Sequence, residues 1–482
     1  MALKDIKKER IKKLKRIKDK GINPYPSFFE KPVLIEKAIL NFKEGKKAIL
    51  AGRILNIRVH GGSTFFDFKD GTGKFQAFLR KDKLKEKYSF FLENIDRGDF
   101  ILVKGKLFLT KKRERTIEVE DYKILAKSLL PLPEKWHGLA DEEERFRKRY
   151  LDLLMNQKVK ENFIIRSKII TKIREFLNKE GFLEVETPIL QPIPGGATAN
   201  PFKTHHKALN IDLYLRIAPE LYLKRLLVGG FDKVYEIGRV FRNEGIDRSH
   251  NPDFTMLEFY WAYARFEDLL IFCEKMIKKV VKDVFGKSKI LYNQKEIDFS
   301  KPFKKIEFYQ LLDKRLKIKT REASDSTIKK IAKDFKIPIE KKSRYKLLDD
   351  IFKKISKEEI WQPTFVLYQP VQLNPLSKRR EDDKELALRF QLVIAGWEVV
   401  NAFSELNDPL DQKLRFKEQQ KEKQKGDKEA HPFDRDFIEA LEYGMPPAVG
   451  LGLGIDRFVA ILTDSENLRE VILFPVLRPK EN

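Results

Sequence analysis

The sequence predicts an α+β protein in which a small N-terminal β-barrel precedes a larger domain of mixed helices and strands. Five short strand patterns, separated by Gly and Asp, fill the region from Lys47 to about Lys127. From residue 151 onward, helical patterns with apolar residues three or four apart alternate with strand patterns. The 482 residues are enough for two or three domains with cores of their own.

Composition places the chain among globular proteins and excludes several other classes. The hydrophobic share of 42% is too high for a disordered protein. No run of about 18 apolar residues occurs, so we expect no membrane span. The lysine-rich N-terminus lacks the apolar core of a secretory signal peptide. The single cysteine, Cys273, excludes an intrachain disulfide and a multi-cysteine metal site. We therefore expect a cytoplasmic protein.

The charge balance is strongly basic. There are 98 lysines and arginines against 73 acidic residues, a formal net charge of +25. Such an excess predicts a polyanionic partner, most simply a nucleic acid. A general preference for lysine in the source genome explains the same excess, because the chain is also rich in Ile and Phe. Charge alone leaves both explanations open.

Domain boundaries follow from the shifts in pattern. Residues 1–45 are predicted to form a basic helix and a lead-in, 46–130 the barrel, 131–150 a charged linker with prolines, and 151–482 the second domain. Within the second domain, the lysine-rich stretch of about 270–360 is predicted to be a helical insertion without a role in chemistry. The basic N-terminal helix is interpreted either as a phosphate-binding element or as a solvated helix packed by one face.

Strand parity separates a core face from an outer face in the barrel. Five strands within about 80 residues suggest a barrel of the oligonucleotide-binding (OB) type. The core face is assigned to Phe66, Phe68, Phe75, Ala77 and Leu79, and the outer face to Phe65, Asp67, Gln76 and Phe78. An outward ring beside an outward amide is typical of a platform that stacks and reads single-stranded bases. The alternative is that Phe65 packs under a loop.

One predicted strand places a carboxylate on a face that should lie inside the protein. In FTMLEFYWAYA, Glu258 and Tyr260 share a face with Phe254 and Met256. A buried acid costs several kcal/mol unless it is paired. Glu258 is therefore interpreted either as part of a salt bridge with a local base or as the binding group for a cationic ligand.

Two further segments repeat this pattern. In WEVVNAFSELND, one face carries Asn401, Phe403 and Glu405. Glu398 falls on the opposite face unless a bulge intervenes, which the sequence leaves open. A third acid, Glu220, begins a predicted helix, where a carboxylate also suits the helix dipole.

The C-terminal stretch AVGLGLGIDRFVAIL is predicted to form a strand, a glycine-rich turn and a helix with Arg457 in its first turn. Glycines let a ligand approach the backbone, and a helix N-terminus attracts phosphate. No GxxxxGK[ST] pattern occurs, so this segment is not a P-loop. A fixed guanidinium beside a phosphate is nevertheless a strong electrostatic device.

Together these stretches resemble the class II lysyl-tRNA synthetases over nearly the whole chain. The resemblance is carried by GFLEVETPIL (motif 1), FRNEGIDRSHNPDFTMLEFYWAY (motif 2), GLGLGIDRFVAIL with VILFPVLRP (motif 3), IPGGATANPFKTHHKALNIDLYLRIAPELYLKRLLVGG and NAFSELND. It implies an anticodon-binding OB-fold barrel, a catalytic domain built on an antiparallel sheet flanked by helices, and a homodimer formed around motif 1. The implied reaction joins L-lysine to ATP, giving lysyl-adenylate and pyrophosphate, and then transfers lysine to the 3′ end of tRNA(Lys).

The resemblance also implies roles for individual residues. The expected catalytic cations are Arg242 and Arg457. The expected lysine site consists of Gly196, Glu220, Arg242, Glu258, Tyr260, Asn401, Phe403, Glu405 and Gly452. The expected ATP site consists of Arg242, Glu244, His250, Asn251, Phe254, Glu398 and Arg457. In the barrel, the residues expected to contact the anticodon are Arg58, Phe65, Gln76 and Glu114.

Mg²⁺ bound with ATP is the one cofactor that the resemblance implies, with no zinc, flavin or nicotinamide. One of the family's two metal-binding acids corresponds to Glu398. The other falls at Gln391, where Glu is usual. An amide oxygen can ligate magnesium but adds no charge, so we expect a weaker site.

Three other functions compete with this one. An aspartyl- or asparaginyl-tRNA synthetase shares the architecture, but the acids Glu220, Glu258 and Glu405 disfavour it. A repurposed paralogue that binds RNA or attaches lysine to another protein is expected to lack the barrel or to have lost Arg242 or Arg457, and all are present here. A single-strand-binding protein that uses only residues 47–127 leaves most of the chain unexplained.

Overall fold

The computed structural model describes residues 3–133, 141–340, 342–424 and 432–480. The chain forms two compact units, Met1–Ala140 and Asp141–Asn482. Of the predicted linker at 131–150, residues 134–140 lie outside the described residues. The part that follows is mostly helical rather than extended.

The first unit is a closed five-stranded barrel accompanied by helices. Its helices are α1 (Leu3–Asp19), α2 (Ile35–Leu40), α3 (Lys81–Leu84) and α4 (Glu86–Asn94). Its strands are β1 (Lys47–His60), β2 (Ser63–Lys69), β3 (Lys74–Arg80), β4 (Phe100–Leu109) and β5 (Arg115–Ala126), closed in the order β1-β2-β3-β5-β4. The predicted core face is confirmed, because the side chains assigned to it are buried, namely Phe66, Phe68, Phe75, Ala77 and Leu79.

The prediction that Asp67 and Gln76 face outward needs a correction. Both side chains lie on the outer face, yet each is only 6% exposed. Arg58 and Lys74 form ion pairs with Asp67, and Glu114 accepts a hydrogen bond from Gln76. Short polar groups on an outer strand face are therefore covered here by longer charged side chains that bond to them.

The second unit is built on one large sheet packed against helices. Its helices are α5 (Glu142–Arg147), α6 (Arg149–Met155), α7 (Gln157–Lys179), α8 (Glu220–Val228), α9 (Phe266–Phe285), α10 (Phe308–Leu316), α11 (Asp325–Asp334), α12 (Arg344–Glu359), α13 (Pro409–Gln424), α14 (Arg435–Glu442), α15 (Ile455–Leu462) and α16 (Leu468–Val471). Its strands are β6 (Leu183–Glu184), β7 (Leu190–Gln191), β8 (Lys203–His206), β9 (Ile211–Leu215), β10 (Lys233–Phe241), β11 (Asp253–Ala262), β12 (Lys289–Tyr292), β13 (Lys295–Asp298), β14 (Lys304–Glu307), β15 (Thr364–Leu367), β16 (Arg389–Ile394), β17 (Trp397–Ser404) and β18 (Ala448–Gly454).

The large sheet has the strand order β14-β15-β16-β17-β18-β11-β10-β6. Neighbouring strands are antiparallel except at the two edges, where β14–β15 and β10–β6 are parallel. One face is apolar and packs against α7, α9 and α15, with Leu257, Phe259 and Leu453 buried in that core. The opposite face carries polar residues. This arrangement confirms the α+β fold with a mainly antiparallel sheet flanked by helices.

Two local predictions are wrong. The stretch of about 270–360 is not helical throughout, because β12 and β13 form a hairpin whose turn uses Asn293 and Gln294 at positive φ. The glycines of AVGLGLGIDR do not form a turn. They belong to β18, which pairs with β11 and β17 on both sides, and α15 begins directly after it.

Among the described residues, no helix combines the length and the apolar character that a membrane crossing requires.

Candidate active site

The polar face of the large sheet carries a row of paired residues from four neighbouring strands. Glu258 of β11 pairs with Gly452 of β18, Gly452 with Asn401 of β17, and Asn401 with Gln391 of β16. Residues that pair directly across a sheet point to the same face. Glu258 and Asn401 therefore flank Gly452, where a Cβ would have no neighbour nearer than 3.8 Å. A methyl group would fit there at ordinary contact distance, so the glycine leaves room for another group above the strand.

A second row lies two residues further along the strands. Tyr260 pairs with Gly450, which pairs with Phe403. The Tyr260 hydroxyl donates a hydrogen bond to Glu258 Oε2 at 3.0 Å and so links the two rows. A Cβ at Gly450 would lie 2.1 Å from Glu405 Oε1 and 2.5 Å from Tyr260 Cε1, so this close approach requires glycine.

A buried lysine connects two of the predicted acids. Glu220, in the first turn of α8, accepts a hydrogen bond from Lys224 Nζ at 2.6 Å. The same ammonium forms an ion pair with Glu405, which directly follows β17. All three side chains are buried, and Lys224 is fully so. Two of the three predicted lysine-binding acids are thus paired with a base of the protein itself.

The three carboxyl groups compete for that single ammonium. Burial, followed by the nearby Glu220, raises the pKa of Glu258 to about 8. Burial also raises the pKa values of Glu220 and Glu405, although Lys224 acts in the opposite direction. Burial acts to lower the pKa of Lys224, but the two carboxylates outweigh it and the net shift is upward. We call the group of Glu220, Lys224, Glu258, Tyr260 and Glu405 the acidic pocket; it holds more acid than its own lysine neutralises, which favours a cationic ligand.

Arg242 follows the end of β10 and lies beside the acidic pocket. Its Cζ is 5.2 Å from the centre of the Phe254 ring. Burial lowers the pKa of this guanidinium, and the charges of Glu244 and Glu258 oppose that shift. Within the described residues, its buried Nε has no hydrogen-bond partner. A guanidinium held in this way is suited to binding an anion.

Arg457 lies in the first turn of α15, as the sequence predicts. One of its terminal nitrogens donates to the Glu398 carbonyl oxygen at 3.1 Å, and the other lies 3.2 Å from His250 Nε2. Arg457 also affects Arg242: its positive charge lowers the pKa of the Arg242 guanidinium, as the third-largest influence after burial and the charge of Glu244. The two predicted catalytic guanidiniums therefore lie near each other on the polar side of the sheet.

The position of Glu398 depends on a β-bulge. Between Val400 and Glu398, β17 advances by two residues while its partner β16 advances by one, so Val399 is the extra residue. The bulge turns Glu398 back to the face that carries Asn401. The possibility that the sequence left open is therefore realised, and Glu398 joins the polar face.

The residues around Glu398 fit a magnesium ion only as a site with one carboxylate. Gln391 is 2% exposed, and its Oε1 accepts a hydrogen bond from Gln369 Nε2 at 2.7 Å. Gln369 Oε1 in turn accepts one from Arg389. In the part of the chain that the structure describes, no group of three or more His, Cys, Asp or Glu side chains is arranged to hold a metal. Since Mg²⁺ commonly takes most ligands from water and substrate phosphates, Glu398 fits it together with ATP.

The remaining predicted residues of the site lie around its edges. Gly196 has a φ of +87°, and a Cβ there would lie 2.9 Å from the Glu220 Cβ, so its backbone packs directly on that acid. Asn251 is buried and donates to the Asp253 carbonyl oxygen at 2.6 Å. Glu244 is half-buried in the loop after β10.

The four predicted anticodon-binding residues lie on one outer face of the barrel. Phe65 pairs with Phe78 across β2 and β3, and their rings stack with centroids 4.4 Å apart. Arg58 pairs with Phe65 from the other side, in β1. Gln76 donates to Glu114 Oε2 at 3.1 Å. The face thus combines stacked rings, a guanidinium, an amide and a carboxylate.

Sequence reasoning missed Lys224, Gln369 and Arg389. Lys224 had a signal, because it follows Glu220 by four residues on a predicted helix, which is the spacing of a helical ion pair. Gln369 and Arg389 had none, since Gln369 meets Gln391 and Arg389 only after the chain segments assemble.

Two family models match the chain. One is described as class II tRNA synthetases (D, K and N) and matches residues 141–478. The other is described as an OB-fold nucleic acid binding domain and matches residues 48–125. Their ranges correspond to the sheet-based unit and to the barrel.

Similar proteins include three that are named lysine–tRNA ligase. That of Aquifex aeolicus is 49% identical, over 96% of this chain and 82% of the relative. That of Thermotoga maritima is 46% identical, over 99% and 97%, and that of Pelotomaculum thermopropionicum is 48% identical, over 99% and 96%. With identity this high over almost the full length, the chain belongs to the lysine–tRNA ligase family of class II aminoacyl-tRNA synthetases.

Proposed function

We propose that the chain is a lysine–tRNA ligase that activates L-lysine with ATP, giving lysyl-adenylate and pyrophosphate, and then transfers lysine to the 3′ end of tRNA(Lys). The observation that carries this proposal is the acidic pocket beside Arg242, in which three buried carboxyl groups face one ammonium that pairs with only two of them. Lysine brings two ammonium groups and one carboxylate, so its charges complement the pocket and the guanidinium.

Lysine is proposed to lie across the two rows of the sheet. Glu220 and the adjoining Gly196 backbone bind its α-ammonium, while Glu405 and Tyr260 bind its ε-ammonium. Its stem is proposed to pass over Gly452, which lies between Glu258 and Asn401, and to approach Phe403 at the next row. An aspartate side chain would meet these acids with its own negative charge, and a neutral side chain would leave them uncompensated, at a cost of several kcal/mol.

Activation requires the lysine carboxylate to attack the α-phosphate of ATP in line, which brings two anions together. Arg242 is proposed to bridge the two anions and offset the charge of the transition state. The proposal is supported by the influence that both Glu258 and Arg457 have on the pKa of this guanidinium. Arg457 is assigned to the far phosphates. Phe254 is assigned to stacking on adenine and Glu244 to its amino group, with His250 and Asn251 at the border of the nucleotide. Positioning and electrostatics, rather than a strong base, drive such reactions.

Mg²⁺ would neutralise phosphate charge when ATP is bound. Glu398 is the carboxylate that would hold it, and Gln391 offers an amide oxygen that is already engaged by Gln369. We therefore propose magnesium-dependent catalysis with a weaker metal site than a pair of acids provides.

The barrel is proposed to bind the tRNA anticodon. The stacked Phe65 and Phe78 rings offer a surface for small pyrimidines, which suits the uridine-rich anticodons of lysine tRNAs. Gln76, Arg58 and Glu114 are proposed to read or hold the neighbouring bases. Because Gln76 already bonds to Glu114, base reading requires that this pair open or be shared.

The direct test is ATP–pyrophosphate exchange with each of the twenty amino acids, with and without tRNA. We expect lysine alone to support exchange. The variant Arg242→Ala should lose exchange with an unchanged unfolding temperature. Exchange driven by aspartate or asparagine would mean that the chain is an aspartyl- or asparaginyl-tRNA synthetase. Near-normal exchange by Arg242→Ala would mean that Arg242 has no role in the mechanism.

We also propose that the protein is a cytoplasmic homodimer formed around motif 1. In this region the apolar side chains of Leu183, Ile189 and Leu190 are 45–49% exposed, which is typical of a surface that a partner covers. Sedimentation equilibrium should give twice the chain mass, and Leu190→Asp should shift it toward the monomer. A monomer at all concentrations would contradict the proposal.

A further inference from the structure

We propose that Lys224 is a specificity-determining and positioning residue of the lysine site. Its ammonium offsets one of the three carboxylates of the acidic pocket. When all three acids are ionised, the pocket therefore presents two negative charges, the number that the two ammonium groups of lysine neutralise. This inference rests on the proposed function.

The position of Lys224 is fixed from several sides. Its Nζ lies 2.6 Å from Glu220 Oε1 and forms an ion pair with Glu405. Its side chain is fully buried, so the ammonium has no access to bulk water. Three rings surround it, with centres 5.4–6.0 Å from Nζ, namely Tyr260, Phe403 and Phe437. A cation held by two acids and three ring faces is a built-in part of the pocket.

Lys224 also orients the acids that the substrate must meet. Among the described residues, it is the only basic side chain that pairs with Glu405. Glu220 lies on α8 and Glu405 at the end of β17, so the shared ammonium ties the helix to the sheet. Each carboxylate retains one oxygen for a substrate ammonium, because the ion pairs use Oε1 of Glu220 and Oε2 of Glu405.

In the described part of the chain, four titratable groups face Lys224. These groups are Glu220 on α8, Glu258 and Tyr260 on β11, and Glu405 after β17. Arg242 lies next to Glu258 but is assigned to the carboxylate of the substrate. Once the bound substrate has favoured the ionised form of all three acids, the one internal ammonium leaves two negative charges for the two substrate ammonium groups. Without Lys224 the same burial would hold three like charges, and such a cluster takes up protons instead of staying ionised.

The test uses Lys224→Met and Lys224→Gln in ATP–pyrophosphate exchange. The KM for lysine is measured from about pH 6.5 to 8.5, a range that spans the raised pKa of Glu258, about 8. Because protonated acids do not bind an ammonium, we expect the KM for lysine near neutral pH to rise about tenfold or more. We expect the curve of KM against pH to move to higher pH in both variants. The KM for ATP should change little.

Two further variants separate charge from structure. Lys127→Met is the matched control, because Lys127 is also fully buried and pairs with Asp96 and Asp99 in the barrel unit. Its loss should leave the KM for lysine and its pH curve unchanged. The double variant Lys224→Met/Glu220→Gln removes one charge of each sign, which restores two negative charges, so its curve should return toward that of the wild type.

The outcomes are distinct. The inference would be overturned if the curves of KM against pH for both Lys224 variants superimposed on the wild-type curve. It would also be overturned if the curve shifted in Lys224→Met but not in Lys224→Gln, because Lys224 would then act through hydrogen bonds and not through its charge. If Lys224→Met does not fold, Lys224→Gln and the double variant decide in its place. Failure of the wild type to exchange with lysine would instead reject the proposed function itself.

Discussion

At the scale of the residue, the buried carboxyl group of Glu258 shows how the surroundings of a group set its charge. Burial and the neighbouring Glu220 raise its pKa to about 8 from an ordinary value of 4.5. Below that pH the free protein holds this group mainly protonated. The two ammonium groups of a bound lysine favour the ionised form, so binding should expel the proton.

This gives a prediction for lysine binding near neutral pH. Binding should release up to one proton per site to the buffer, and affinity should increase as the pH rises toward about 8. Calorimetric titration in two buffers with different ionisation enthalpies measures the release. Equal heats in both buffers would contradict the prediction.

The control is Glu258→Gln, which removes the titrating group. Its lysine binding should be weak and independent of the buffer. The raised pKa also destabilises the free wild-type fold as the pH rises from about 4.5 to 8, because the unfolded chain loses its proton first. The free variant should therefore unfold at a higher temperature than the wild type at pH 8.

Gln391 leads to a prediction about magnesium. It stands where the family usually has Glu, and its side-chain oxygen already accepts a bond from Gln369. The variant Gln391→Glu adds a negative charge near Glu398, so half-maximal exchange should require less Mg²⁺. A magnesium titration of exchange at saturating ATP measures the change. An unchanged midpoint would mean that this position does not face the metal.

At the scale of the element, β18 shows why a central strand consists so largely of glycine. It lies between β11 and β17, and the acids of the pocket stand on either side of it. At Gly450 a methyl group would collide with Glu405 and Tyr260, whereas at Gly452 it would lie at least 3.8 Å from every neighbour, an ordinary contact distance. The two glycines thus have different reasons to lack a side chain.

A matched pair of variants follows from this difference. Gly452→Ala should fold with an unchanged unfolding temperature but raise the KM for lysine, since its methyl group occupies the space proposed for the substrate. Gly450→Ala should lower the unfolding temperature as well, because the pocket walls must move. Thermal unfolding and exchange kinetics measure both. A normal KM for lysine in Gly452→Ala would mean that lysine does not pass over this strand.

At the scale of the whole molecule, the chain divides chemistry between two units. The acidic pocket and both guanidiniums belong to the sheet-based unit, and the Phe65 platform belongs to the barrel. The net charge of +25 is consistent with a polyanion such as tRNA. Recognition of lysine and recognition of the anticodon should therefore respond separately to mutation.

Phe65→Ala tests this division. It should weaken aminoacylation of tRNA through a higher KM for tRNA, because each base–ring stack contributes about 1–3 kcal/mol. Lysine-dependent exchange without tRNA should be unchanged. Leu109→Ala, at an exposed apolar position in the barrel, serves as the surface control. Equal loss in both assays would contradict the separation.

The amino-acid sequence by itself determined the order of the two units, the barrel core face and the faces of β11 and β17. These features follow from local period and parity, since Phe66 and Phe68 or Glu258 and Tyr260 must share a side of any strand that contains them. Together with the motifs, that parity also placed acids and guanidiniums in one domain.

Only the tertiary structure decided which charges meet. The bulge at Val399 turns Glu398 to the polar face, and no local pattern requires that extra residue. Lys224 reaches Glu405 across about 180 positions of chain, and Gln369 reaches Gln391 from another strand region. Such pairs depend on the distance between elements after packing, because a buried charge takes whichever partner the assembled fold brings within reach.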